Sequence, residues 1–209
     1  MLSSYSDPRL VYKHTRPSAL QGVFFYCIIS SMKQPIPIFS APFFIEPIDL
    51  DKIKMADDAD YHESYLSHIP TTMGTDSFTE ESYHYVHGVI EDCIGQFLPD
   101  RPFYIGQVWR NKYTKTDWQD PHIHSGAQWS FIIYESVEHS RTVFMNPARK
   151  VIMNQWGMYV DSIMTDFFPQ IEPGHICIFP ACVEHFVTSG GEGVSIAGNC
   201  YLQQPPEGP

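Results

Sequence analysis

Two histidines one residue apart, in Asp120-Pro121-His122-Ile123-His124-Ser125-Gly126, are the densest pair of nitrogen ligands in the chain. Alternate residues of an extended segment point the same way, so His122 and His124 can address one point in space. About 60 residues later, Glu172-Pro173-Gly174-His175-Ile176-Cys177-Ile178-Phe179-Pro180-Ala181-Cys182-Val183-Glu184-His185 reads as a Pro-Gly turn, a buried strand, a second turn and the start of another strand carrying His185. Imidazoles gathered from such distant segments suit a divalent transition metal with open coordination positions. A single histidine in a β protein is ordinarily a surface or hydrogen-bonding residue, and HxH alone says little. HxH at a strand edge, the Pro-Gly turn, the apolar strand ending in Phe-Pro and the following histidine together point to a metal. His84, His87 and Glu91 also stand at helix spacing, but they read as a solvated helix face.

Those ligands need a β scaffold, and the second half of the chain supplies one. Strand patterns run over Phe103–Tyr113, Trp129–Ser136, Thr142–Met145, Met158–Met164, His175–Pro180, His185–Thr188 and Val194–Leu202, with Pro and Gly between them. Seven such segments preceded by helices predict an all-β sandwich or barrel with flanking helices. Before them, 36–48 alternates apolar residues with Pro and suits an edge strand. Residues 51–68 read as a surface helix. Ser77-Phe78-Thr79-Glu80 forms a capping box, followed by apolar Val86, Ile90, Cys93, Ile94 and Phe97 at helical spacing up to Pro99. Among the aromatic residues Trp109, Tyr113, Trp129, Tyr134 and Phe179, one or two are expected to line the pocket and the rest to form core.

The chain has 209 residues, enough for one domain over 32–202 with its own core. Residues 1–31 lack periodicity until Val23–Ile29 and are expected to be a non-core extension, with Met32 as the start of the domain; a signal peptide is the rival reading. The tail 203–209 is polar, Pro-rich and expected to be disordered. A net charge of −11 disfavours phosphate-backbone binding, so nucleic acid is not an expected partner. No run approaches the roughly 20 apolar residues of a membrane span. Five cysteines without CxxC spacing fit reduced thiols and a cytoplasmic setting. The absence of G-x-S-x-G, P-loop and G-x-G-x-x-G patterns removes the commonest serine-hydrolase and nucleotide-binding readings.

The motifs Trp109-Arg110-Asn111, His122-x-His124, Ser130-Phe131-Ile132-Ile133-Tyr134, Pro173-Gly174-x-x-x-x-Phe179-Pro180 with His185, and Val194-Ser195-Ile196-Ala197-x-Asn199 occur in this order. Their order and separations resemble the 2-oxoglutarate/Fe(II) oxygenases found in marine bacteria and phages, from about residue 35 to 202. The resemblance implies a double-stranded β-helix, the jelly roll shared with cupins. It also implies Fe(II) bound by His122 and His185, 2-oxoglutarate as co-substrate, and O2-dependent hydroxylation of a small molecule or side chain. Two positions differ from the family pattern. His124 stands where better-studied relatives carry a carboxylate, so the third ligand is His124, a water or Asp120. Gly193 stands where the pattern has an Arg able to clamp the distal carboxylate of 2-oxoglutarate. Ser195 remains on that strand and, with Asn199, is expected to bind the co-substrate; Arg141 or Arg110 could supply the charge, and Tyr134 or Tyr113 a hydrogen bond. The rival functions are a three-histidine cupin-type dioxygenase or isomerase that uses no 2-oxo acid, and a non-catalytic small-molecule-binding jelly roll.

Overall fold

The computed structural model describes residues 41–56, 59–64, 67–98, 101–137, 140–156, 158 and 165–203. In chain order the elements are β1 (Phe44–Pro47), a 3-10 turn at Leu50–Lys52, β2 (His62–Ser64), β3 (Ser67–Thr71), α1 (Glu80–Ile94), β4 (Phe103–Tyr113), β5 (Gln119–His122) and β6 (Trp129–Tyr134). They continue with β7 (Thr142–Met145), α2 (Arg149–Trp156), β8 (Asp166–Phe167), β9 (His175–Pro180), β10 (His185–Val187) and β11 (Gly193–Leu202).

The strands hydrogen-bond in the order β1-β9-β6-β11-β4-β3-β5-β10-β7-β8. Read from β4 onward, successive strands alternate between a larger group, β9-β6-β11-β4, and a smaller one, β5-β10-β7-β8, except that the consecutive β7 and β8 both lie in the smaller. That winding is a jelly roll. Strand β3 joins the two groups, pairing Thr71 with Asn111 of β4 and Ser67 with Gln119 of β5.

The larger group is covered on both faces, which is why every residue of β6 is buried. On the outer face Ile105, Val108, Phe131, Ile133, Ile178 and Ile196 pack with Val86, Ile90, Cys93 and Ile94 of α1. On the inner face Trp109, Ile132, Tyr134, Cys177 and Phe179 meet Phe144 and Val187 of the smaller group. Helix α1 buries the apolar stripe its spacing predicted. Its N-cap is Thr79, whose side chain accepts from the Ser82 amide, rather than Ser77; Ser82 Oγ in turn donates to Lys52 O at 2.8 Å and leaves the capping role to Thr79. Replacing Thr79 by Ala should lower stability by about 1 kcal/mol, a fall of about 2–4 °C in melting temperature for a chain of this size.

The helix expected over 51–68 is not formed. After the 3-10 turn the chain enters β2 and β3, where pairing to β4 and β5 satisfies the backbone and Ile69 is fully buried. A weakly periodic stretch gains more from that pairing than from an isolated helix. Helix α2 stands in a connection with no clear helical pattern. The strand expected over Met158–Met164 falls, beyond Met158, outside the described residues, as do 1–31 and the tail from 204.

Candidate metal centre

His185 opens β10 and is register-paired with His122, the last residue of β5. Directly opposed residues of an antiparallel pair carry their side chains side by side, so strand pairing alone joins two histidines 63 positions apart. His124 lies just beyond β5, where its amide bonds the Ala181 carbonyl at 3.0 Å in the turn before β10. One nitrogen from each of His122, His124 and His185 falls within 4.8 Å of the others, and no other such group of histidine, cysteine or carboxylate ligands occurs among the described residues. Asp120 is exposed and outside this group; its backbone carbonyl, not its carboxylate, serves the site.

All three rings are oriented by their Nδ1 atoms. His122 Nδ1 donates to Asp120 O at 2.7 Å, His185 Nδ1 to Val183 O at 3.0 Å, and His124 Nδ1 to Asn199 Oδ1 at 2.5 Å. Each acceptor fixes the proton on Nδ1 and leaves the Nε2 lone pair free, the arrangement of a metal-ligating imidazole. Burial pushes His124 down to about 4, opposed by the Asn199 hydrogen bond, and pushes His185 down to about 3, with the neighbouring His122 and His124 adding to the effect. Both rings therefore stay neutral at physiological pH, as ligation requires. Aromatic rings enclose them: Trp109 stacks on His124 at 5.6 Å, and Phe144 and Phe179 flank His185 at 5.5 and 5.0 Å. The donor set fits a divalent metal.

The histidines open onto a cavity of about 260 Å³. Its floor is a grid set by the registers of β11 with β4 and β6: Asn111, Ser195 and Tyr134 in one row, Trp109, Ala197 and Ile132 in the next, Gln107, Asn199 and Ser130 in the third. At roughly 3.3 Å per residue the floor runs about 13 Å along β11. His124 stands over the Asn199 row. The opposite end holds Tyr134, whose hydroxyl bonds Thr142 Oγ1 at 3.0 Å and accepts from Ser140 Oγ at 3.1 Å.

Arg141 lines that end and is the one Lys, Arg, Asp or Glu among the described residues around the cavity. Its Nε is buried and has no hydrogen-bond partner. Arg110 is not brought to the site: it lies on the other face of β4 from Trp109 and Asn111, with Nε 3.2 Å from the buried carboxylate of Asp76. Ser195 is buried on the floor, and the nearby Tyr113 hydroxyl donates to Gln119 Oε1 at 2.9 Å. Asn199 lies under His124 and acts on that ring. His84 is exposed near Glu80, and His87 stacks on Phe103 at 4.3 Å, so neither joins a metal group.

The structure gives a reason for Gly193. Its φ is +134°, and a Cβ there would fall 2.3 Å from the Ser136 carbonyl oxygen and 2.7 Å from Val137 Cα. No side chain fits, so an arginine at this position is excluded by backbone packing. Gly193→Arg should be at least about 3 kcal/mol less stable, from left-handed strain plus overlap with main-chain atoms. A thermal melt within 2 °C or so of the parent would contradict this reading. Sequence reasoning missed Thr142, Ser140 and Gln107; the period-two pattern of β4, with Gln107, Trp109, Asn111 and Tyr113 on one face, was the available sign.

Three imidazoles at the mouth of a jelly roll form a group that could hold one metal ion. Residues 107–206, just under half of the chain, match the family described as "Putative 2OG-Fe(II) oxygenase". No curated protein matches the sequence. Solved structures similar to this chain include a 2OG-Fe(II) oxygenase family oxidoreductase from Burkholderia pseudomallei, at 10% identity over 68% of this chain and 71% of that one, TM-score 0.43. A Pseudomonas putida prolyl-4-hydroxylase follows at 12% identity, 74% and 79% coverage and TM-score 0.40. HygX from Streptomyces hygroscopicus, solved with nickel, 2-oxoglutarate and hygromycin B, stands at 11%, 77% and 83%, and 0.42. A small-molecule substrate and O2 go with this class. No helix among the described residues is long and apolar enough to cross a membrane.

Proposed function

We propose that Fe(II) is held by Nε2 of His122, His124 and His185, and that 2-oxoglutarate lies along the cavity floor with its distal carboxylate on Arg141. Bound iron and 2-oxoglutarate supply, with O2, the oxidising power to hydroxylate a substrate C–H bond, with 2-oxoglutarate leaving as succinate and CO2. The observation that carries the reading is the Arg141 guanidinium: with an unsatisfied, buried Nε, it is the one charged side chain among the described residues lining the cavity, within a chain of net charge −11.

The spacing supports it. Phe144 is level with His185 and Thr142 with Val187, so Arg141 begins three residues along from the histidine, about 10 Å by strand rise. A 2-oxo acid chelating at the histidines would extend past Thr142 and Tyr134, whose hydroxyls can bond it, toward the guanidinium. Trp109, Phe144 and Phe179 exclude water from the histidine end.

Titration of the metal-loaded protein with 2-oxoglutarate and with 2-oxovalerate, which keeps the chelating end and lacks the distal carboxylate, tests this assignment. Binding of 2-oxoglutarate at least about 100-fold tighter is expected, since a charge-assisted bidentate pair contributes on the order of 3 kcal/mol. Equal affinities would overturn the Arg141 assignment. We further place the catalytic unit in one domain over 32–202, with 1–31 and 203–209 outside it. The four described free cysteines, three of them buried, support a reducing compartment such as the cytoplasm. The overall negative charge speaks against nucleic acid as the substrate.

A further inference from the structure

We infer that Asn199, held by Ser130 and Gln107, is the positioning residue that makes His124 a working metal ligand. This rests on His124 being the third ligand, as proposed above. The sequence places Ser130 and Asn199 at the ends of two motifs, and the 2-oxoglutarate placement proposed above uses neither residue. In the structure they are register partners on β6 and β11, with Gln107 of β4 on the other side of Asn199.

The hydrogen bonds of this row run in one direction. Ser130 Oγ donates to Asn199 Oδ1 at 3.1 Å, and Asn199 Nδ2 donates to Gln107 Oε1 at 3.0 Å, which also accepts from the Tyr201 hydroxyl at 3.3 Å. A flipped amide would set Nδ2 against the His124 ring and lose the bond to Gln107. The amide is therefore fixed with its oxygen toward His124 Nδ1. Both Ser130 and Asn199 are buried.

The chemical need is specific to a histidine at 124. A carboxylate ligand there would ask its neighbour for a donor, whereas an imidazole ligating through Nε2 asks for an acceptor at Nδ1. His122 and His185 obtain theirs from backbone carbonyls close by in sequence. His124 obtains its acceptor from a side chain 75 residues away, so it is the ligand whose orientation one substitution can undo.

The test is a double-mutant cycle read as the dissociation constant for Co(II), followed by its visible spectrum with no turnover required. Asn199→Ala should weaken Co(II) about 10- to 100-fold, the range for loss of an orienting partner. Asn199→Asp, which keeps an acceptor at Nδ1, should stay within a few-fold of the parent. In a His124→Ala background, Asn199→Ala should add no further loss. If Asn199→Ala does not fold, Ser130→Ala, which unpins Oδ1, should show a smaller loss that is likewise absent without His124. An Asn199→Ala affinity within twofold of the parent, an equal loss in the His124→Ala background, or Asn199→Asp as weak as Asn199→Ala would overturn the inference. A His124→Ala variant that binds Co(II) like the parent would instead overturn the ligand assignment beneath it.

Discussion

His185→Ala should leave the purified protein with less than about a tenth of the parent's iron after loading and desalting, and with no measurable 2-oxoglutarate turnover. His185 is 2% exposed, sits at the centre of the cluster opposite His122, and is enclosed by Phe144 and Phe179. Among the described residues no carboxylate or cysteine joins the three histidines to replace it. Two imidazoles alone hold Fe(II) far more weakly than three, and the expected loss of affinity exceeds the 10- to 100-fold seen when only an orienting partner is removed. His124→Ala should be milder, because that ligand lies nearer the open side where water can fill the position. Metal analysis beside a thermal melt separates the two effects; unchanged iron stoichiometry in folded His185→Ala would sink the ligand assignment.

Arg141→Met should raise the KM for 2-oxoglutarate about 100-fold while iron content and kcat at saturation change little. The guanidinium touches none of the histidines' orienting partners. Its removal takes away two charge-assisted hydrogen bonds worth roughly 1.5 kcal/mol each, and 1.4 kcal/mol is a factor of ten. Arg141→Lys should recover only part of the loss, because an ammonium offers a point charge where the guanidinium offers a planar fork. Steady-state kinetics with 2-oxoglutarate varied checks this; a proportional fall in kcat with unchanged KM would contradict it. Gly190 backs the arginine, where a Cβ would lie 3.3 Å from the guanidinium carbon. The clamp thus enters from β7 because the close approach of β11 to Ser136 closes the route from position 193.

Much of this site could be read from the sequence because strand grammar is local. HxH, the Pro-Gly turn and the Phe-Pro strand end place His122 and His185 at strand termini, and cross-strand register does the rest. The strands Phe103–Tyr113, Thr142–Met145 and His175–Pro180 are found with the bounds their patterns gave. What the sequence hides is set by partners distant along the chain. Residues 51–68 carry a weak helical period that pairing with β4 and β5 overrides. The exclusion of a side chain at 193 depends on Ser136, and nothing near Gly193 in sequence announces it. Arg110 and Arg141 look alike as candidates until Asp76 is seen to occupy one of them. The role of Asn199 depends on which ring lies above it.

The most direct test of the central claim is the visible spectrum of the anaerobic protein on adding Fe(II) and then 2-oxoglutarate. A chelated 2-oxo acid at an open iron site gives a metal-to-ligand charge-transfer band. That band should require both additions, be absent in His185→Ala, and need about 100-fold more 2-oxoglutarate in Arg141→Met. Stoichiometric iron with no band at saturating 2-oxoglutarate would contradict the account and favour a three-histidine centre that uses no 2-oxo acid.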